Sequence, residues 1–400
     1  MLRNALLVFL SSVVAISLIE LLLVLEPGLQ AENPPETHVF CEGPPRRLRP
    51  HIVLGATEAP DSAYFERKTE ADGWAVHIYN EDGFRDVFNT GNRHVIVLGD
   101  SFTRGTLVNN DETFAYLLDL WHPDVAFHNF GTGGYATGDA YRLYRSVARS
   151  IDHDLVVLGY FVGNDLLENL RYDPARASGD RRPPASPADG QSGTAEHGSA
   201  LLKLHVLLRI HSRAYSLVYM TLKKALHGAH PSLIMSAPAR GHALDVTRMI
   251  LEDLIAEASS NGADLLVVIL PYWNEIVDPD AGRFADLQRS LISDLAGRHD
   301  HVHSLDLLDV ILAAGPETTF GEVDKHFNRY GQYLTALAIH DWINGSWRRG
   351  PLAVGHVPPF DPDRPPVVPD CGVLERYRQS FERQADLVRG DRGNASATRP

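Results

Sequence analysis

Four separate segments of the chain carry side chains that together could perform nucleophilic chemistry. They contain Gly-Asp-Ser-Phe at 99–102, Asn-Phe-Gly-Thr-Gly-Gly at 129–134, Gly-Asn-Asp at 163–165 and Asp-Lys-His at 324–326. A serine hydroxyl is a poor nucleophile until a base takes its proton, and histidine suits that task near neutral pH. We therefore expect Ser101 to be the nucleophile and His326 the base. A carboxylate holds such an imidazole in the required tautomer, and Asp324 is the candidate for that role.

The two middle segments provide hydrogen-bond donors for negative charge on a reacting oxygen. The glycine-rich segment lets a bare backbone N–H approach a carbonyl closely, with Gly134 as the first candidate and Gly131 as the alternative. Asn164 adds an uncharged side-chain amide, and the backbone N–H of Ser101 completes the predicted oxyanion hole. Nucleophile, base, carboxylate and oxyanion hole are together typical of acyl transfer from an ester.

The elements that must position these groups alternate between strands and helices. Short apolar runs rich in β-branched residues are typical of parallel strands covered on both faces, and they occur at His94–Leu98, Val125–Asn129, Leu155–Tyr160, Asp264–Leu270 and Val302–Leu305. Helical patterns separate them, over Asp111–Leu120, Gly138–Ser150, Ala243–Ser259, Phe284–Gly297 and Asn328–Ile343. This alternation predicts an α/β fold, a three-layer α/β/α sandwich with a mostly parallel, flavodoxin-like sheet of five strands.

Taken in order, the four segments resemble the four blocks of the SGNH, or GDSL-type, serine hydrolase superfamily, which carry Ser, Gly, Asn and His. The resemblance covers about residues 92 to 345. It implies an esterase in which Ser101 is the nucleophile and His326 the base, with Asp324 as the carboxylate. It also implies an oxyanion hole formed by Ser101, Gly134 and Asn164.

Two further features bear on this resemblance. The commonest family spacing puts the aspartate three residues before the histidine, where this chain has Val323, whereas Asp324 is two residues before it, as in other branches. If Asp324 pointed away, Ser101 and His326 would act as a dyad. The upstream segment Asn-Glu-Asp-Gly-Phe-Arg at 80–85 is similar to a segment that precedes the first block in membrane-anchored bacterial members.

Several neighbouring residues allow two interpretations. Asp100 is expected to satisfy backbone donors in the turn rather than to react. Asn164 could cap the segment after the third strand, although Asp165 is the better cap and would leave Asn164 for chemistry. Tyr272 and Trp273 follow the fourth strand, where they could line a substrate cleft or pack on the core.

Composition and charge limit the classes of partner. The 400 residues are 44% hydrophobic, which allows a substantial core. The formal net charge is −14, which argues against a nucleic-acid partner because phosphates require a basic face. No Cys–His spacing typical of a metal site occurs, and we expect neither a metal nor an organic cofactor.

The N-terminus carries an apolar run, Ala5–Leu25, of about 21 residues, long enough to span a bilayer as a helix. Arg3 precedes it, which favours an orientation with the rest of the chain outside the cytoplasm. We therefore predict an uncleaved membrane anchor, with a signal peptide cleaved after Leu-Gln-Ala at 29–31 as the alternative. In both cases the remainder is exported, to the bacterial periplasm or cell surface, or secreted.

The remaining chain divides by composition. We expect an anchor or signal segment at 1–30, an irregular extension at 31–92, the hydrolase domain at 93–346 with an insertion at 171–240, and a tail at 347–400. Within the insertion, 173–199 has the composition of a mobile loop, and Leu201–Leu226 is an amphipathic helix that could act as a lid or as an extra core helix. The tail allows a short helix at Gly372–Leu387. Cys41 and Cys371 lie in the two terminal segments and could form one disulfide or remain free thiols.

These observations predict an exported serine esterase that acts on small acyl esters of glycans or lipids and meets the membrane through its N-terminal helix. One alternative is an O-acyltransferase, in which the same site passes the acyl group to a polysaccharide hydroxyl. Another is a non-catalytic glycan-binding protein of the same fold.

Overall fold

The structure is a computed structural model that describes residues 37–43, 48–51, 55–69, 71–86, 91–172, 237–347 and 354–383. The predicted anchor Ala5–Leu25, the loop 173–199 and the helix Leu201–Leu226 lie outside these residues. Within the described ranges, no helix combines the length and the apolar character needed to cross a bilayer.

The described residues form ten strands and eleven helices longer than a single 3-10 turn. In chain order the strands are β1 Thr37–Glu42, β2 Leu48–His51, β3 Gly55–Glu58, β4 Ala63–Arg67, β5 Ala75–Ile78, β6 Arg93–Gly99, β7 Val125–Asn129, β8 Leu155–Phe161, β9 Asp264–Leu270 and β10 Val302–Asp306. The helices are α1 Ser101–Arg104, α2 Phe114–Trp121, α3 Thr137–Ser146, α4 Asp165–Glu168, α5 Ala237–Ser260, α6 Trp273–Val277, α7 Pro279–Arg298, α8 Leu308–Ala314, α9 Pro316–Thr319, α10 Arg329–Ser346 and α11 over 372–383.

The central sheet contains five parallel strands in the order β7-β6-β8-β9-β10. Counted from β6, this is the order 2-1-3-4-5 of flavodoxin-like folds. The α/β prediction and the five predicted strands are therefore confirmed. The carboxyl ends of β6, β7 and β8 lie side by side, which brings three of the four chemistry-bearing segments to one edge of the sheet.

Helices cover both faces of this sheet, which explains why its central strands β6, β8 and β9 are almost continuously apolar, whereas the edge strand β10 has exposed positions. Ile96 and Leu98 of β6 face a cluster that includes side chains of α3, α5 and α7. Val95 and Val97 of the same strand face a second cluster, to which α2, α8 and α10 contribute. The alternation along one strand thus produces two cores and the three-layer arrangement that the sequence predicts.

Several predicted helix boundaries need correction. The helix predicted over Ala243–Ser259 begins at Ala237, and the one predicted over Gly138–Ser150 ends at Ser146. Asp111 does not begin a helix but lies in a 3-10 turn over Asn110–Glu112, and α2 begins at Phe114. The side chain of Thr113 accepts the N–H of Tyr116, so threonine rather than aspartate caps the helix. The helix predicted from Phe284 begins earlier, at Pro279, because proline is well suited to a first helical position, where its N–H is not needed.

The extension before β6 is more regular than its composition indicates. Strands β1, β4 and β5 form a three-stranded antiparallel sheet in which β1 pairs with β4, and β2 pairs with β3 as a hairpin. The prediction of an irregular extension at 31–92 is therefore wrong for these paired strands. The strands are four to six residues long, so their pairing depends on tertiary contacts that periodicity does not record.

The C-terminal segment packs against this extension. Cys41 of β1 forms a disulfide with Cys371, which selects the bonded alternative over two free thiols. Leu374 and Phe381 of α11 join a buried cluster with Phe65 of β4. Residues 354–370 have no regular secondary structure, in agreement with the predicted tail.

Candidate active site

Ser101 stands directly after the central strand of the site and begins α1. The turn is tight at Gly99, whose φ is +153°, and a Cβ there would lie 2.1 Å from Oγ1 of Thr103. The carboxylate of Asp100 accepts the N–H of Phe102 at 2.9 Å and so caps the helix, as the sequence predicts for this aspartate. Strand, turn and cap together hold the serine at the carboxyl edge of the sheet.

His326 and Asp324, more than 220 residues later in the chain, lie beside this serine. Oγ of Ser101 lies 2.7 Å from Nε2 of His326, and Nδ1 of His326 is hydrogen bonded to Oδ1 of Asp324. Because an ionised carboxylate only accepts, Nδ1 carries the proton and Nε2 is left to accept from the serine hydroxyl. The ring of Phe102 packs against the imidazole, with 4.8 Å between ring centroids. The structure thus brings all three predicted residues together.

The surroundings of Asp324 keep it ionised. Burial alone would raise the pKa of this carboxyl group, but hydrogen bonding to His326 and the positive charges of His326 and Lys68 outweigh burial. The net result is a pKa below the ordinary value. A carboxylate in this state can stabilise a positively charged imidazolium at His326.

The loop that carries the base and the carboxylate is closed at both ends. The carbonyl oxygen of His326 accepts the N–H of Gly321 at 2.8 Å, and Phe320 pairs with Phe327 in a short β-bridge. Asn328 then starts α10, because its side-chain oxygen accepts the N–H groups of Tyr330 and Gly331. His326 therefore occupies a defined turn between a bridge and a capped helix.

The two candidate oxyanion donors in the glycine-rich loop after β7, the N–H groups of Gly131 and Gly134, have different surroundings. The N–H of Gly131 donates to the side chain of Asn129 at 3.0 Å, and a Cβ at Gly131 would lie 2.4 Å from the backbone nitrogen of Arg104. Gly131 is thus needed where the loop presses on α1. The N–H of Gly134 makes no hydrogen bond to a described residue, and the space around its Cα is open. This arrangement favours Gly134 over Gly131 as the oxyanion donor.

Asp165 rather than Asn164 organises the turn after β8. Its two carboxylate oxygens accept the N–H groups of Thr137 and Phe161, at 2.9 and 2.8 Å. The side chain of Asn164 makes no capping bond, and its buried Oδ1 has no hydrogen-bond partner among the residues that the structure describes. The amide of Asn164 is therefore not committed to the turn, as the oxyanion prediction requires.

Two buried carboxyl groups lie beneath the catalytic edge. Burial raises the pKa of Asp100 to about 6, although the N–H of Phe102 and the charge of His326 act in the opposite direction. Burial and the charge of Asp100 also raise the pKa of Asp165 well above its ordinary value. These groups differ sharply from Asp324, which interacts directly with the imidazole.

Arg85 of the extension contacts the site, although no catalytic chemistry in the sequence singled it out. Arg85 is buried, and its guanidinium donates to the carbonyl oxygens of Arg104 and Gly105, at 2.9 and 2.6 Å, so it caps the end of α1. Burial lowers the pKa of Arg85 to about 10, which leaves it charged at neutral pH. The sequence signal for this residue was the resemblance of 80–85 to a known upstream segment, and its contacts join that segment to the helix that Ser101 begins.

Other contacts join the extension to the same edge. Arg104, three residues after Ser101, is fully buried and pairs with Glu58 at 2.8 Å and with Glu66 at 3.4 Å. Asp86 accepts the N–H of Asn129 at 3.1 Å, at the start of the glycine-rich loop. The extension thus contacts the nucleophile helix and the second segment.

A groove of about 940 Å³ lies beside the loop that carries His326. Its lining includes Trp74 of the extension, Lys325 of the loop, Tyr330 of α10 and Phe360 of the C-terminal segment, but neither Ser101 nor His326. The two aromatic residues with open interpretations lie elsewhere. Tyr272 is buried and packs edge-on against Phe161, whereas the ring of Trp273 lies 4.1 Å from the ammonium group of Lys325. Tyr272 thus belongs to the core, and Trp273 supports the catalytic loop.

The residues that the structure describes contain no group of three or more histidine, cysteine, aspartate or glutamate side chains arranged to hold a metal ion. The histidine that the site does use is engaged by Ser101 and Asp324.

Comparison with known proteins gives a structural likeness only. No model of a known protein family matches the chain, and no curated protein matches it. Among solved structures, the chain is similar to a lipolytic protein of the G-D-S-L family from Veillonella parvula, with 13% identity, a TM-score of 0.39 and coverage of 62% of this chain and 97% of the other.

Two esterases show comparable values. Esterase EstA from Pseudoalteromonas sp. is 12% identical with a TM-score of 0.35, over 63% of this chain and 97% of the other. An acetyl-xylooligosaccharide esterase from Geobacillus Stearmophilus is 13% identical with a TM-score of 0.39, over 66% of this chain and 100% of the other.

Proposed function

We propose that this protein is a serine esterase of the SGNH type. The observation that carries the proposal is the continuous hydrogen-bonded series Ser101–His326–Asp324, in which Oγ of the serine lies 2.7 Å from Nε2 of the imidazole. This is the geometry in which a histidine can act as general base toward a serine. A serine at a helix start has no structural need of such a partner.

In the first half of the reaction, the hydroxyl of Ser101 attacks the acyl carbonyl carbon while Nε2 of His326 accepts its proton. The carbonyl oxygen becomes an oxyanion, which the N–H groups of Ser101 and Gly134 and the amide of Asn164 stabilise. Each such donor contributes about 3 kcal/mol to the transition state. When the tetrahedral intermediate collapses, the imidazolium returns the proton to the leaving alcohol, and an acyl-enzyme remains.

In the second half, water takes the place of the alcohol. His326 removes a proton from the water, the resulting hydroxide attacks the acyl carbon, and the carboxylic acid leaves as Ser101 recovers its proton. The ionised state of Asp324, with its lowered pKa, stabilises the imidazolium in both halves. If a sugar hydroxyl replaced water, the same steps would amount to acyl transfer.

We further propose that the substrate is a small acyl ester on a glycan or a lipid, outside the cytoplasm. The Cys41–Cys371 disulfide supports an oxidising compartment, because disulfides persist there. The groove beside the catalytic loop has an aromatic and charged lining that suits a sugar, which favours a glycan as the alcohol portion. Attachment to the membrane depends on Ala5–Leu25 and stays a sequence prediction.

The test measures hydrolysis of p-nitrophenyl esters of increasing acyl length by the purified protein and by its Ser101→Ala and His326→Ala variants. We expect the wild-type protein to release p-nitrophenol from the acetyl ester and both variants to lose that activity. A fluorophosphonate probe should label the wild-type protein and not Ser101→Ala. Adding an acetyl-free glycan acceptor and analysing the products distinguishes hydrolysis from transfer. Equal activity in wild type and Ser101→Ala would overturn the proposal.

A further inference from the structure

Asp72, in the turn between β4 and β5 of the extension, contacts the loop that carries the base. Its Oδ2 accepts the backbone N–H of Asp324 at 2.9 Å, and its Oδ1 accepts that of Val323 at 3.3 Å. The hydroxyl of Thr69 donates to Oδ2 at 2.7 Å and accepts the N–H of Asp72 at 3.1 Å. One carboxylate of the extension is thus bound at both oxygens.

We propose that Asp72 is a positioning residue for the reaction, and that it acts by fixing the backbone at 323–324 so that the carboxylate of Asp324 faces Nδ1 of His326. The inference rests on the proposed function. The direction of the Asp324 side chain follows from the backbone dihedral angles of that residue, and a hydrogen bond to its N–H restrains them. Small displacements of a catalytic group from its working position can cost about 100-fold in rate.

A positioning residue must itself be held relative to the nucleophile, and the extension meets this condition. Arg104 of the nucleophile helix pairs with Glu58 and Glu66 on either side of the β3–β4 turn, and Arg85 caps the same helix. The side chain of Asn109 accepts the N–H of Val76 at 2.9 Å, directly after the Asp72 turn. The extension therefore links α1 to the His326 loop across the site.

The charges at this contact are compensated by groups in the same part of the extension. The backbone N–H groups of Val323 and Asp324 donate to Asp72, whereas the carboxylate of Asp324 accepts the N–H of His326. The ammonium group of Lys68, also in the extension, acts on Asp324 in the sense that favours its charged form. The segment from Lys68 to Asp72 thus supports both the orientation and the charge of the catalytic carboxylate.

The test compares kcat and KM on p-nitrophenyl acetate for wild type, Asp72→Ala and Asp72→Asn, with Asp82→Ala as a matched control on an exposed turn of the same extension. We expect Asp72→Ala to lower kcat by about 10- to 100-fold with KM changed less than twofold. Asp72→Asn should lose less, because its amide oxygen still accepts one N–H. Asp82→Ala should match wild type, and melting temperatures should show that all variants are folded at the assay temperature.

A double-mutant cycle shows whether Asp72 acts through Asp324. If it does, Asp72→Ala introduced into the Asp324→Asn variant should change the remaining kcat less than twofold. The same fold-loss in both backgrounds, or equal activity of Asp72→Ala and Asp82→Ala, would overturn the inference. If Asp72→Ala does not fold, Asp72→Asn carries the same cycle. Activity that survives Ser101→Ala would instead refute the proposed function, so the two failures are distinguishable.

Discussion

Gln332 donates from its side-chain amide to the carbonyl oxygen of Phe102 at 2.8 Å, which joins the helix after His326 to the residue after Ser101. The side-chain oxygen of Gln332 also accepts the N–H of Phe114 at 2.9 Å, and the whole side chain is buried. A single amide thus connects α10, α1 and α2 directly behind the catalytic hydrogen bonds.

Replacing Gln332 by leucine should therefore destabilise the protein. The buried carbonyl of Phe102 and the N–H of Phe114 would each lose a partner, at about 1–3 kcal/mol for each group. We expect a lower free energy of unfolding in urea by about 2–6 kcal/mol, with Thr318→Ala as an exposed control. An unchanged midpoint of unfolding would show that this amide does not join the helices.

Asp324→Asn distinguishes a triad from a dyad. In a triad the variant presents an amide to Nδ1, which disfavours the required tautomer, and kcat should fall by about 10³- to 10⁴-fold while the fold is kept. Steady-state kinetics on p-nitrophenyl acetate and the rate of fluorophosphonate labelling measure the loss. A decrease of less than tenfold would mean that Ser101 and His326 act as a dyad.

Asn164→Ala tests the oxyanion hole. Because the side chain makes no capping bond, its removal should leave the free energy of unfolding nearly unchanged. The loss of one oxyanion donor should lower kcat by about 10²- to 10³-fold, with little change in KM. Asn169→Ala serves as the comparison, since that buried side chain accepts the N–H of Gly138 and should affect stability first. Full activity of Asn164→Ala would remove this residue from the oxyanion hole.

Asp100 should make stability depend on pH in a defined direction. Because burial raises its pKa to about 6 in the folded protein, the folded state holds this proton more tightly than the unfolded state does. The stabilisation is complete below about pH 4 and is lost as pH rises through 6, an effect of up to about 3 kcal/mol.

The measurement compares urea unfolding of wild type and Asp100→Asn at pH 4.5 and pH 8. The free energy of unfolding of wild type should fall relative to that of the variant between these two values. The quantity compared is the change in the free energy of unfolding between the two pH values. The absolute difference between the proteins is not used, because the asparagine also alters the hydrogen bonds of the turn. Parallel curves for the two proteins would contradict the raised pKa.

Reduction of the disulfide should loosen the extension. Cys41 and Cys371 are 330 residues apart, so the bond restricts a very long loop of the unfolded chain. We expect the Cys41→Ser, Cys371→Ser double variant to lose about 2–5 kcal/mol of stability. Differential scanning calorimetry with and without a thiol reductant tests this, and the double variant should no longer respond to the reductant. A wild-type transition that does not move on reduction would speak against the bond.

Much of the local structure follows from local sequence. The central strands β6, β8 and β9 of the parallel sheet are nearly continuous apolar runs, because both of their faces are buried, and β7 and β9 have the predicted bounds. The serine after Gly99 and the histidine before the last helix are recognisable because their chemistry requires particular residue types beside particular elements. Such signals survive in a single sequence since they depend on neighbours within a few residues.

Only the tertiary structure decided which of the candidate groups meet. Hydrogen bonds between segments far apart in the chain join Ser101 to His326 and Asp165 to Thr137. The contacts of Asp324 with His326 and of Gly131 with Asn129 are local, but only the folded loops show that these side chains make them. The roles of Arg85 and Asp72 also depend on the tertiary structure. From sequence alone, an arginine or aspartate in a turn is expected to be an ordinary surface residue until its partner is known. Sequence patterns record which residues a strand or helix needs, whereas hydrogen bonds across a fold depend on where distant loops are brought by the packing of the core.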